Sequence, residues 1–224
     1  MLNKQKGNMY GFVTHTWNVI KGKCPHDCPY CYMKRFPQGE LRFDEKELKT
    51  NLWDGNFIFV GSSCDMFTDD VPSEWIHKIL DYCGLFDNTY LFQTKNPKRF
   101  YEFQSYFPEK TITGVTLETN RENDLANCPP RSARVDWFIE DYPLLKRKMV
   151  TIEPIMDFDV TILSEWIKKI NPEFVNIGAD SNKKKDYSFP EPSEFKINNL
   201  IKELEKFTKV NLKDNLNRLI EGKK

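Results

Sequence analysis

Cys24, Cys28 and Cys31 fall within eight residues, in the stretch KGKCPHDCPYCYMKRF. A disulfide takes two thiols, whereas a closed zinc or iron–sulfur site usually takes four ligands. The Cys-x3-Cys-x2-Cys spacing lets three thiolates fold around one metal centre. It leaves a coordination position for a ligand from outside the chain, which is what distinguishes a catalytic metal site from a structural one. Pro25 and Pro29 stiffen the loop. A zinc knuckle completed by His26 or His15 uses the same cysteines, and the spacing alone leaves both readings open.

Elements elsewhere in the chain must position this loop. The 224 residues contain 33 Lys and Arg and 33 Asp and Glu, so net charge gives no global pull toward nucleic acid or acidic membranes. Apolar residues make up 39%, enough for a large core, so disorder is excluded. No stretch approaches the roughly 18 apolar residues of a membrane span, and the first residues do not read as a signal peptide. These features predict a cytoplasmic protein with reduced thiols and no membrane partner.

Short apolar runs alternate with helical patterns. Strands are predicted over residues 11–17, 56–63, 88–95, 111–119, 148–156 and 173–180. Helices are predicted from Ser73 as N-cap to Gly84, from Asn96-Pro97 onward carrying Phe100, Phe103 and Phe107, within 131–145, through Ile162–Ile170, and over Phe195–Phe207. Residues 208–224 read as a terminal cap that could include one short strand. Strand–helix alternation about every 30 residues predicts an α/β fold of a single domain over 1–224, a partial (β/α)6 TIM-like barrel of parallel strands. A doubly wound open sheet fits the same pattern.

Chemistry in parallel barrels gathers at the C-terminal ends of the strands. Those ends carry His15, then Ser62, Ser63, Cys64 and Asp65, then Lys95, Thr116, Glu118, Glu153 and Gly178. They predict a polar cavity above an apolar barrel. His15, Cys64 and Glu153 are candidate catalytic residues, with Glu153 also a candidate for an ion pair to Lys95 or Arg99. Cys83 and Cys128 read as inert. Lys183, Lys184 and Lys185 are a solvated loop or a phosphate contact.

The segment Cys24-x3-Cys28-x-Tyr30-Cys31 resembles the CxxxCxΦC signature of the radical S-adenosylmethionine (SAM) enzymes, Φ being aromatic. It sits after the first strand, where that family carries it. The resemblance implies a 4Fe-4S cluster on the three cysteines, with SAM on the remaining iron, cleaved reductively to a hydrogen-abstracting 5′-deoxyadenosyl radical. It also implies an external electron donor of the flavodoxin or ferredoxin type. Tyr30 joins the cofactor-binding residues as the signature aromatic. GSSCD stands where the family has a glycine-rich segment for the SAM amino group, so Ser62, Ser63 and Asp65 take that part. Lys95 suits the SAM carboxylate, Thr116 or Glu118 the ribose, and Gly178 the neighbourhood of adenine. The segments THTWN, GSSCDMF, LFQTKNPKRF, GVTLETN, IEPI, VNIGADS and LKDNL resemble a phage- and prokaryote-associated radical SAM subfamily of unassigned substrate. The lysine run and that resemblance favour a nucleotide or nucleic-acid substrate, and a partner protein that presents the substrate fits the lean chain. The alternative is a non-catalytic, zinc-stabilised binding module.

Overall fold

The computed structural model describes residues 1–139, 145–182 and 188–220. The Lys183–Lys185 run lies outside the described residues. The strands are β1 (Asn3–Lys4), β2 (His15–Trp17), β3 (Ile20–Lys21), β4 (Arg42–Phe43), β5 (Phe57–Val60), β6 (Thr89–Thr94), β7 (Thr111–Thr116), β8 (Lys148–Ile152), β9 (Phe174–Ile177) and β10 (Lys209–Leu212). The helices are α1 (Ser73–Cys83), α2 (Phe100–Phe103), α3 (Arg131–Ile139), α4 (Val160–Ile170), α5 (Glu194–Leu204) and α6 (Asn217–Ile220).

One sheet of eight strands runs in the order β1-β2-β5-β6-β7-β8-β9-β10. From β2 to β10 every pair is parallel, and only β1 is antiparallel, on the edge of β2. Helices α1, α3, α4 and α5 fill four of the crossovers, as parallel βαβ units require. The crossover from β2 to β5 contains the cysteine loop and the small β3–β4 pair instead. The stretch expected as a terminal cap thus carries a seventh parallel strand, one more than the six predicted. Among the described residues no ladder joins β10 back to β1 or β2.

Side chains alternate across the sheet. Ile58, Val60, Tyr90, Phe92, Val115, Val150, Ile152, Val175 and Ile177 face the helices and form the large core with their buried faces. Phe59, Leu91, Ile112 and Met149 point the other way, into the concave side. That concavity is filled by the chain before β2, through Tyr10, Phe12 and Val13. The Tyr10 ring stacks on Phe12 at 5.4 Å, and Phe12 meets Phe174 edge-on at 5.1 Å. This is why the predicted first strand is shorter than expected: residues before His15 leave the sheet to plug it.

Local signals set two of the helix ends. Asn171 adopts a left-handed φ of 53° just before Pro172 and stops α4. Ser193 caps α5 by accepting from the Lys196 amide. Ser73 differs from its predicted N-cap role: it is the first helical residue, and its hydroxyl accepts from Arg99 at 2.9 Å. The helix predicted beyond Pro97 shrinks to one turn, α2, although Phe107 still packs on Phe67, Phe92 and Phe100.

Candidate active site at the strand ends

The cysteine loop begins at Gly22, whose φ is 99° and whose Cβ, if present, would lie 2.0 Å from the Glu40 carbonyl oxygen. Only glycine fits there. Two turns follow, closed by the Asp27 amide on the Cys24 carbonyl at 3.0 Å and the Cys31 amide on the Cys28 carbonyl at 3.1 Å. Asp27, at φ 46°, pairs with Lys23 and Lys34, both at 2.9 Å, and so ties the two ends of the loop.

Three anchors fix the loop to the sheet. His26 is buried, with Nε2 3.0 Å from Asp65 and Nδ1 2.9 Å from the Asn127 carbonyl. The Tyr30 hydroxyl donates to Glu118 at 2.7 Å, and the Tyr32 hydroxyl to the Ser62 carbonyl at 3.0 Å. Both His26 nitrogens face acceptors, so neither is free for a metal. This removes His26 as the completing ligand of a zinc knuckle. Among the described residues, no three His, Cys, Asp or Glu side chains converge on a single-ion site.

The thiols are free of disulfides, and Cys24, Cys28, Cys31 and Cys64 line one cavity of about 800 Å³. Cysteine thiolates are the usual ligands of a cubane cluster, so three loop thiols on one cavity suit it. A hydrogen bond from Cys64 pulls the Cys24 thiol down to about 6 and pushes that of Cys64 well up. Burial pushes the Cys28 thiol up to about 12, and it raises that of Cys31 as well.

Beneath the loop, fully buried Glu118 receives Arg131 at 2.9 Å, Arg134 at 3.1 Å and Lys95 at 3.5 Å. Burial acts to raise the Glu118 pKa, but Arg134, Lys95 and Arg131 outweigh it and hold the carboxyl well below its ordinary value. Burial opposes the Lys95 charge too, yet Cys28 and Glu118 keep the ammonium protonated. Two buried arginines and the half-buried Lys95 around one carboxylate leave positive charge beneath the cysteines, the sign an anionic thiolate centre requires. Cys128, read as inert from sequence, belongs to this cluster: its sulfur lies 2.7 Å from an Arg134 nitrogen.

The cavity collects most of the residues singled out by sequence. Tyr30, Ser62, Ser63, Asp65, Lys95, Thr116 and Glu153 line it with the cysteines. Asp65 is already occupied, accepting from His26, the Thr94 hydroxyl, and the Lys95 and Phe67 amides. Glu118 lies under the lining rather than in it. Gly178 is also outside it; a Cβ there would meet the Glu153 carboxyl at 2.8 Å, so the glycine makes room for Glu153. His15 shares the Trp17 face of β2, bonds Thr14 at 3.0 Å and does not reach the cavity. The expected partners of Glu153 are corrected. Lys95 serves Glu118, and Arg99 is spent on the Thr68 and Val71 carbonyls, while Lys213 meets Glu153 at 2.6 Å.

Sequence reasoning missed Lys213 because its strand, β10, was read as part of a cap; as a strand end it would have joined the list. It also missed Tyr10, whose hydroxyl donates to the Gln93 Oε1 at 2.8 Å, shares a hydrogen bond with the Thr151 hydroxyl at 2.9 Å and so floors the cavity. Asn8 and Asn215 complete the Glu153 site, each at 3.2 Å.

No family model matches the chain, and no curated protein matches it. Solved structures do. Spore photoproduct lyase complexed with dinucleoside spore photoproduct superposes with a TM-score of 0.66 at 11% identity, covering 93% of this chain and 79% of that one. A variant of the same lyase with bound AdoMet and dinucleoside spore photoproduct gives 0.66 at 10% identity over 92% and 78%. A third form, also with dinucleoside spore photoproduct, gives 0.68 at 10% identity. The chain therefore shares the fold of spore photoproduct lyase, an α/β architecture with a mostly parallel central sheet.

Proposed function

We propose that this chain is a radical SAM enzyme in which Cys24, Cys28 and Cys31 hold a 4Fe-4S cluster and SAM completes the remaining iron. The carrying observation is that these three thiols, with no histidine nitrogen free beside them in the loop, line one cavity at the C-terminal end of a parallel sheet. When bound, the reduced cluster supplies one-electron cleavage of SAM to methionine and a 5′-deoxyadenosyl radical. The bound AdoMet in one fold neighbour supports the reading.

The chain's own residues then divide the work. Tyr30, His26 and Asp27 hold the loop. Lys95, its ammonium kept charged at the cavity wall, pairs with the SAM carboxylate. With Asp65 occupied, the amino group falls to Ser62 and Ser63. Thr116 faces the cavity for the ribose, and Ala179 and Asp180, beside Gly178, lie toward the adenine. Cys64 and Glu153 face the reacting space, above the core that Tyr10 covers. A flavodoxin- or ferredoxin-type donor supplies the electron, in the cytoplasm. The substrate is a nucleotide or nucleic acid, a class represented by the dinucleoside held by the neighbours.

Anaerobic reconstitution followed by dithionite and SAM tests this. The expected result is a brown protein with about four irons per chain that releases 5′-deoxyadenosine. A colourless protein holding zinc, or a clustered protein that never cleaves SAM, overturns it.

A further inference from the structure

The formal charge of the chain is zero, yet charge is not evenly spread around the cavity. The deeper carboxylates have cationic partners in place: Asp65 has His26, Glu153 has Lys213, and Glu118 has three cations. The lining toward solvent is different. Lys4 and Lys6, both exposed, enter it from the first strand and the segment after it, and no ion pair engages either among the described residues. Arg35, exposed on the turn after the cysteine loop, donates to the Ser181 carbonyl, a neutral acceptor that leaves its charge uncancelled.

Two aromatic rings accompany these cations. Phe36 is 56% exposed and Tyr32 43% exposed, and both line the same cavity. What sets Phe36 and Tyr32 apart from the other exposed aromatics is that they line the same cavity as these cations. Cations without ion-pair partners beside exposed aromatic rings are the composition that grips single-stranded nucleic acid, with charges on phosphates and rings under bases.

We propose that the cavity mouth is a docking site for single-stranded polynucleotide, with Lys4, Lys6 and Arg35 on the phosphodiester backbone and Phe36 stacking one base. This rests on, and narrows, the nucleic-acid reading above. A duplex keeps its bases stacked on one another and has no face to offer Phe36.

Fluorescence anisotropy with a labelled 15-nucleotide oligothymidine, on anaerobically purified protein with and without reconstituted cluster, tests the site without relying on turnover. Three phosphate contacts on a single strand predict a slope of log K against log salt of about −2. The double variant Lys4→Glu/Lys6→Glu should weaken binding roughly ten-fold or more and bring the slope to about −0.7. Phe36→Ala should weaken binding about five-fold or more and leave the slope unchanged. All three positions are exposed, and unchanged thermal midpoints verify the fold. Equal affinity for a 15-base-pair duplex, competition by polyglutamate as effective as by oligothymidine, or binding untouched by the substitutions overturns the proposal. If 5′-deoxyadenosine release is intact while oligonucleotide binding is absent, the docking site falls and the radical SAM reading stands.

Discussion

The Tyr30 hydroxyl donates to Glu118 Oε1 at 2.7 Å, and Glu118 Oε2 receives Arg131 and Arg134 at 2.9 and 3.1 Å. A residue in the middle of the cysteine loop is thus the cap on a buried charge cluster. Tyr30→Phe removes one charge-assisted bond and should lower unfolding free energy by ~1–2 kcal/mol. Glu118→Gln leaves three cations without their carboxylate and should cost ~3–5 kcal/mol. Urea denaturation of both variants checks the order; a Glu118→Gln chain no weaker than Tyr30→Phe would contradict the cluster.

The same carboxylate sets an acid limit. Its folded pKa lies below the ordinary 4.5 because the three cations outweigh its burial. Its contribution is therefore fully present above about pH 4.5 and is lost as pH falls toward the lower folded value. Thermal midpoints measured from pH 6 to pH 3 should drop more steeply for the native chain than for Glu118→Gln. Parallel curves would show that Glu118 titrates normally.

His26 sits between two cysteines without a free nitrogen. His26→Ala should reduce iron bound per chain on reconstitution and lower stability by ~1.5–3 kcal/mol, because the Asn127 carbonyl and part of Asp65 lose their donor. Colorimetric iron determination beside a melting curve measures both. Native iron loading with a native melting point would mean that the loop holds its shape without this anchor.

Gly178 and Glu153 should be coupled. Gly178→Ala drives a methyl to within 2.8 Å of the Glu153 carboxyl and should cost ~1–3 kcal/mol. Adding Glu153→Ala should return part of that loss, giving a double-mutant cycle with non-zero interaction energy. Strict additivity would place the strain elsewhere.

Much of the frame was legible because buried parallel strands are short apolar runs. Phe57–Val60, Thr89–Thr94, Thr111–Thr116, Lys148–Ile152 and Phe174–Ile177 all fall inside their predicted ranges. Their polar ends pointed to Ser62, Lys95, Thr116 and Glu153 for the same reason. What escaped depends on tertiary pairing. Gly11–Val13 reads as a strand, but the concave face needs Tyr10 and Phe12 as filling. Lys209–Leu212 alternates like a surface segment, so a short strand there stayed an alternative to a cap and Lys213 went unassigned. Arg131 and Arg134 occupy one face of α3 and look like ordinary helix charges until Glu118 is brought beneath them. Asp65 looked like a ligand-binding carboxylate, since sequence does not reveal that four protein donors already fill it.

The gap between β2 and β10 has a consequence for how the sheet keeps its curve. Side chains bridge it among the described residues: Asn8 to Glu153 and Ser181, Arg35 to the Ser181 carbonyl, and Lys213 over the Tyr10 ring. Beneath that seam Tyr10, Phe12 and Val13 fill the concave face. The two edges are therefore clasped over an aromatic wedge rather than zipped by a backbone ladder, and the first residues of the chain act as a keystone for both rims of the cavity at once.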